Sequence, residues 1–591
     1  MRTFVLLALL FAASFLRWHS RLAYLEWVRK VHKGYVSLSC SVASDVFYFT
    51  NFVDVDCGGY KARLFFKGDI PQVVYGDLLR FSGVAFVPYN YKNPGSFDLA
   101  DFMNRKNIAF FVKVKRYRVV RKGRGLFALF HRLRLKLVHF ACRLDEPLRG
   151  LVGTVVLGEK GMFKEHSRTL YRLGLGHILA VSGLHMGAFI FVLYGLWLWV
   201  LRVINLFWQF PYLFLPRRSA HIPVVMLLPL LIVVTGGHLS ALRAAVMYVV
   251  YVVFGVFMER ETPLLSLLLV ALALFLLVDP GQMESAGFQY TFLAVLVIGL
   301  LLGRFSQAPS WLKGTLLSLT LPLVLMPVAA YHFHRIYPLG FLFNALLLPV
   351  FAMLIALLFP LFFAAYILGG PFLWGLRILN YPLGTLLGVV DLFARLPGLE
   401  VIVGRVGFWG VVLLSLSVMW VILRGRLLGF LVVLALCMFL FVFRDGKRNR
   451  VIFFDMGRSG EAALVVCEGE KILINAEGKG REGFAALRQA LEWEGVGRLD
   501  RVLCLLKRQR YLGAVVSHFR VDELEGCRGE WEGSCRSASV CGVDFVCRPE
   551  DCSKGLCRVL KGAVIAKGER FYPYKEGALK FYLGGWDEES P

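Results

Sequence analysis

Hydrophobic and polar positions fall into three rhythms along this chain. Between Gly34 and Val120 they alternate over short runs, at Val36–Cys40, Val46–Thr50, Ala62–Phe66, Leu78–Ser82 and Phe110–Val114, with Gly58, Gly59, Gly68 and Asp69 in the turns between them. Period-two alternation marks half-buried strands. Five of them, with one short helical stretch over Phe97–Arg105, predict a small β-barrel of the OB type, and a generic five-stranded barrel fits the spacing equally well. From His177 to Phe443 the alternation gives way to apolar runs of membrane-spanning character. There are ten, near 177–203, 221–237, 240–258, 263–279, 287–303, 314–331, 336–366, 371–397, 406–423 and 426–443. Pro338, Pro349 and Pro360 punctuate the longest and predict that it is two broken helices. Beyond Val451 the rhythm is mixed. Strands at Val451–Asp455, Lys471–Asn475 and Val502–Leu506, with an amphipathic helix over Phe484–Trp493, predict an α/β layer. The apolar stretch Thr3–Leu16 reads as an uncleaved anchor helix, short for a full span of about 20 residues.

Composition sharpens this picture. The chain is 57% hydrophobic and 18% charged, whereas soluble proteins carry about 25% charged residues. A wholly soluble protein is excluded. The reading is a polytopic α-helical membrane protein with a membrane anchor at 1–33, a barrel at 34–120, a basic amphipathic interfacial region at 121–176, a multi-span domain at 177–445 and an α/β domain at 446–591. The net charge of +26 is not spread evenly. Residues 113–136 hold ten Lys or Arg and no acid, among them Lys113, Lys115, Arg116, Arg118, Arg121, Lys122 and Arg124. Such charge either faces lipid phosphates and sets topology, or lines the way of a polyanion. Leu126–Cys142 continues it as a cationic amphipathic stretch suited to the membrane interface.

Four polar clusters interrupt the apolar region. They are Gly174–Gly187, with His177, Ser182 and His185; Thr235–Ala245, with His238, Ser240 and Arg243; Asp279–Thr291, with Glu284 and Gln289; and Pro327–Pro349, with His332, His334 and Asn344. Polar groups at membrane depth are costly and tend to face the bundle interior. A histidine or serine alone can simply hydrogen-bond across helices. Four clusters, none with metal-ligand spacing, favour a polar translocation path through His177, Ser182, His185, Arg243, Gln289, His332 and Asn344, with Ser182 and His185 on one helix face and His177 about two turns before His185. Among the cysteines, Cys527, Cys535, Cys541, Cys547, Cys552 and Cys557 crowd one segment without any C-x₂-C pair. That argues against a zinc ribbon and leaves disulfides, with 15 connectivities open, set against reduced structural cysteines. Cys40 and Cys57 are a further candidate pair.

The string His177–Gly187 (H-I-L-A-V-S-G-L-H-M-G) resembles the signature of the ComEC family of competence DNA-uptake channels, departing from it only at Met186. Ser240–Met247, Asp279–Pro280 and Gly287–Ala294 resemble further segments of that family in the same order, and Asn93–Asp98 resembles the end of its OB-like domain. The resemblance implies an inner-membrane, multi-pass channel that translocates single-stranded DNA in natural transformation, with soluble domains outside. It implies a DNA receptor outside and an ATP-driven motor inside, this chain having no G-x-x-x-x-G-K-[ST] loop. The alternatives are a membrane-bound metal-dependent hydrolase or nuclease, and a small-solute secondary transporter. The resemblance also implies a metallo-β-lactamase-like C-terminal domain. Its opening falls on Phe453–Ala462, and its metal motif falls on Leu505–Tyr511, placing Leu506, Arg508, Arg510 and Tyr511 at ligand positions. Leucine cannot coordinate and arginine repels a cation. The domain is therefore expected to be a degenerate one, with no metal, no cofactor and no enzymatic activity.

Overall fold

The N-terminal alternation closes into a barrel. In the computed structural model β1 (Gly34–Val42), β2 (Phe52–Asp56), β3 (Lys61–Phe65), β4 (Leu78–Phe86) and β5 (Ile108–Arg121) pair in the order β1-β2-β3-β5-β4, with β4 returning to β1. Only β3 and β5 run parallel. Inward positions Val36, Val42, Val53, Val55, Leu64, Leu79, Phe81, Phe110 and Val112 fill the interior. The second strand begins at Phe52, and the expected run Val46–Thr50 lies outside the described residues. In β2 Val53 and Val55 point inward while Asp54 and Asp56 alternate outward. Asp is depleted in strands, which hides the run from a propensity reading. Cys40 and Cys57 are bonded, S–S 2.05 Å, linking β1 to the residue just after β2.

The structure describes residues 20–32, 34–43, 52–67, 72–181, 183–207, 216–258, 264–407, 410–411, 415, 449–457, 460–507, 509–527, 536–541, 543–546, 556–559, 564–566, 569–571 and 578–582. It divides into two compact units. The first comprises Met1–Val87, Met103–Met326 and Tyr337–Glu400, and the second Pro88–Phe102, Pro327–Ile336 and Val401–Pro591. Most of the expected anchor lies outside the described residues. Residues 20–31 form a helix that sends Leu25 and Val28 into the barrel core.

Eight apolar helices match the first eight expected segments. Six are long enough to cross a membrane, at His185–Leu206, Leu239–Phe257, Ala286–Arg304, Ser310–Phe333, Gly340–Leu368 and Gly370–Phe393. His221–Val234 and Leu264–Val278 are shorter. The segments 406–423 and 426–443 fall almost wholly outside the described residues. Phe191, Leu206, Met226, Val278, Trp311, Ile367 and Tyr381 are 72–83% exposed, the pattern of helices whose solvent is lipid. The expected break in the longest segment is corrected. Gly340–Leu368 is one helix with Pro349 and Pro360 inside it, its stripe Phe343, Leu347, Phe351, Leu354, Leu358 and Phe362 buried. Packed neighbours let a spanning helix absorb the carbonyls a proline frees. The next span, Gly370–Phe393, has one irregular residue, Leu379, between the helices Gly370–Ile378 and Asn380–Phe393. The basic helix Leu126–Ala141 also departs from expectation. Leu126, Phe127 and Leu129 are exposed, but Arg134, Leu137, Val138 and Ala141 are buried. Its C-terminal half is core because those four positions form one stripe at helical spacing.

In the second unit β6 (Arg335–Ile336) pairs with β7 (Val401–Ile402). The chain then forms β8 (Arg450–Phe453), β9 (Glu461–Cys467), β10 (Glu470–Glu477), β11 (Arg498–Leu503), β12 (Arg520–Glu525), β13 (Ala538–Val540), β14 (Val543–Val546), β15 (Leu556–Val559), β16 (Val564–Ala566), β17 (Glu569–Phe571) and β18 (Leu579–Tyr582). One sheet runs β12-β11-β10-β9-β8-β18 and another β13-β14-β15-β16-β17. The helices Gly480–Trp493 and Leu512–His518 cover one face of the first sheet through Leu487, Leu491 and Val515. Val543 and Phe545 of the second sheet cover the other, against Phe453, Val465 and Ile474. The expected α/β layer is present, and a second sheet lies on it. Two of the six clustered cysteines pair outside their cluster, Cys527 with Cys504 and Cys541 with Cys467. Pairing with strand residues far back in sequence is what spacing within the cluster cannot reveal.

Candidate functional site

The polar clusters of the first unit meet. The chain makes a separate 3-10 turn at Gly176–Leu179, is extended at Ala180, and starts its helix at Gly183. His177 is therefore exposed on that turn and shares no helix face with His185, a correction to the expected spacing. Ser182 lies outside the described residues. His185 is 1% exposed and hydrogen-bonds the Ala180 backbone. The Ser240 hydroxyl donates to the Val181 carbonyl, tying the second cluster to the first. One turn on, Arg243 is 4% exposed. Its Nε donates to Thr291 Oγ1 at 3.1 Å and its Nη2 to the Gly287 carbonyl at 2.9 Å, tying the second cluster to the third. Gly174, at φ 74°, lies where a Cβ would sit 3.2 Å from Tyr337 Cβ and 3.4 Å from Gly340 Cα, so the helix carrying Asn344 starts against the first cluster.

Other expected residues serve local ends. Gln289 Nε2 donates to the Met283 carbonyl at 2.9 Å, and Asn344 Nδ2 to the Gly340 carbonyl one turn back at 2.7 Å. His332 belongs to the second unit, its ring 4.9 Å from that of Tyr331. A buried ion pair stands beside the joined clusters and escaped sequence reading. Arg134 Nη2 reaches Glu159 Oε1 and the Leu157 carbonyl, each at 2.9 Å, with the two residues 2% and 1% exposed. Next to it His238 Nε2 donates to the Gly158 carbonyl at 3.1 Å. Gly158 sits at φ 72°, where a Cβ would lie 2.3 Å from the Thr235 carbonyl oxygen. The only sequence signal was a lone Glu in a glycine-flanked stretch, which reads as a loop.

On the barrel, Lys113, Lys115, Arg116, Arg118 and Arg121 are exposed along β5, and Lys122 and Arg124 follow it. Lys122 Nζ lies 3.5 Å from the buried carboxylate of Asp77.

In the second unit the segment assigned to metal ligands does not fit a cation. Leu506 is buried in the apolar layer between the sheets. The Tyr511 hydroxyl donates to the Gly480 carbonyl at 2.8 Å, and Arg510 stands 3.6 Å from Glu477. Arg508 lies outside the described residues. Asn475 Oδ1 takes three donors, from Leu505 N, Leu506 N and Gln509 Nε2. That loop is closed by amide and hydroxyl contacts. Asp455 is fully buried and equally committed: Oδ1 accepts from the Tyr89 hydroxyl at 2.6 Å and Oδ2 from Lys92 N at 2.9 Å, while its backbone bonds both ways with the Asn93 side chain. The two motifs that looked separate in sequence thus form one joint. A second joint joins Arg335 to Glu492, which His518 also contacts at 3.2 Å. Burial pushes the Glu492 carboxyl up, but hydrogen bonds from His518 and Arg335 and the charges of Arg335 and Arg488 hold it below its ordinary value.

A family model described as competence protein matches residues 155–428. That stretch contains the Val181, Ser240, Arg243, Gly287 and Thr291 contacts. ComE operon protein 3 of Bacillus subtilis (strain 168) is 27% identical over 295 residues, 49% of this chain and 36% of that protein's length. No solved structure matches. The joined polar clusters, the apolar helices around them and the sequence likeness agree: the chain is a multi-pass membrane protein that is similar over residues 155–428 to competence proteins.

Proposed function

We propose that this protein is an inner-membrane channel that passes single-stranded DNA into the cytoplasm during natural transformation. The observation carrying this reading is the line of contacts from Val181 through Ser240 and Arg243 to Gly287 and Thr291. It puts a buried guanidinium among apolar helices, where packing alone would use apolar side chains, and it joins the segments that resemble the family's motifs. Disulfides in both units support an oxidising compartment for each, hence soluble domains outside.

In this reading the barrel receives DNA from an outer receptor, basic side chains meet its phosphates or those of lipid, and an ATP-driven motor inside draws the strand. The C-terminal domain is a degenerate metallo-β-lactamase-like domain without hydrolytic activity, supported by the closed Asn475–Gln509–Tyr511 loop. Transformation of a deletion strain complemented with Arg243→Ala tests the channel. Transformants should vanish while protein level and surface-bound DNA persist; normal transformation would remove Arg243 from the path.

A further inference from the structure

The barrel carries two outward sheet faces of opposite electrostatic character. OB folds commonly bind oligonucleotides on the face centred on their second and third strands. Here that face is neutralised. Arg63 is held by Asp54 through two hydrogen bonds of 2.7 and 2.9 Å and lies 4.1 Å over the Phe52 ring. Asp56 stands beside them, accepting from Gly58 N at 2.9 Å. Two carboxylates set against Lys61 and a committed Arg63 leave that face without net positive charge for a phosphate.

The face made by β1, β4 and β5 is the reverse. Its three strands contain six cations and no acid. The register sets outward residues in rows across the sheet: Tyr35, Val84 and Lys113; Ser37, Ser82 and Arg116; Ser39, Arg80 and Arg118; Ser41, Leu78 and Arg121. Cations thus run the length of β5, with serine hydroxyls on the strands beside them. Among the described residues none of Arg80, Lys113, Lys115, Arg116, Arg118 and Arg121 forms an ion pair. Tyr35, 62% exposed, closes one end of the field, with Lys115 Nζ 5.7 Å from its ring centre. Small hydroxyls between guanidinium groups suit phosphate oxygens, and an exposed aromatic ring suits a base.

We propose that the outer face of β1, β4 and β5 is a binding strip for a single nucleic-acid strand, with Arg80, Arg116 and Arg118 on phosphates and Tyr35 stacking a base. This rests on the channel reading and deepens it by moving the contact surface away from the β2–β3 face. A lipid headgroup surface would also take cations. The hydroxyl rows and the exposed tyrosine favour a strand.

The test uses the full-length protein in detergent and a labelled oligothymidylate of about 20 nucleotides, longer than the about 4–16 that one OB fold covers. Affinity is measured across salt for the wild type, for Arg80→Ser/Arg116→Ser/Arg118→Ser, and for Lys61→Ser on the β3 face. The triple variant should bind roughly tenfold more weakly or worse, and its salt slope should fall by about two, near 0.7 per lost phosphate contact. Lys61→Ser should bind as wild type. The triple lysine variant at the same three positions should keep most of the affinity, separating charge from fold. Equal affinity and slope in wild type and triple serine variant would overturn the strip. So would loss of binding to phosphatidylglycerol vesicles with oligonucleotide affinity intact, which would assign the face to lipid. If the strip fails while the wild type still admits DNA to a nuclease-protected compartment, the channel reading stands alone.

Discussion

Glu159 and Arg134 show how far a single residue can escape a sequence reading. Arg243 was legible because an arginine inside an apolar run demands a partner, yet its partners Thr291 and Gly287 could not be named from spacing. Arg134 looked like one more interfacial cation. Only the packed helix shows it 2% exposed on a carboxylate that is 1% exposed. Breaking such a pair leaves an uncompensated buried charge, which costs about 3–5 kcal/mol, whereas replacing both partners with apolar side chains of similar volume is often neutral. Glu159→Ala should therefore lower stability in detergent by about that amount, and Arg134→Met/Glu159→Met should recover most of it. Thermal unfolding followed by intrinsic fluorescence reads both. A double variant as unstable as the single one would mean that the pair specifies the local fold beyond its charge balance.

At the scale of elements, alternation revealed the barrel and apolar length revealed the helices, since both patterns are local. What stayed hidden depended on contacts between distant segments: the continuity of Gly340–Leu368 through two prolines, the His177 turn, and the pairing of Cys527 and Cys541 with strand residues. The joint between β6 and the helices Gly480–Trp493 and Leu512–His518 is of the same kind. Burial raises the Glu492 carboxyl, yet hydrogen bonds from His518 and Arg335 outweigh it and leave it below the ordinary value. A carboxyl depressed on folding contributes stability that is full above its unfolded value and is lost as pH falls through its folded one. Unfolding midpoints should thus drop as pH falls below the ordinary glutamate range, near 4.5. Glu492→Gln should flatten that part of the profile. An unchanged slope in the variant would assign the acid sensitivity to other carboxylates.

For the whole molecule, two claims remain separable. If the C-terminal domain is no hydrolase, the full-length protein should leave labelled DNA intact with manganese or zinc added. Degradation that disappears with Asp455→Asn would instead reveal a rebuilt site around a carboxylate now read as a joint with Tyr89 and Asn93. The central claim, passage of DNA through the polar line, is tested most directly in cells. Labelled double-stranded DNA is given to a deletion strain carrying either the wild-type chain or Arg243→Ala, and the fraction protected from external nuclease is counted. Protected single strand with the wild type, and only surface-bound, nuclease-sensitive DNA with the variant, is the predicted result. Equal protection in both strains would contradict it.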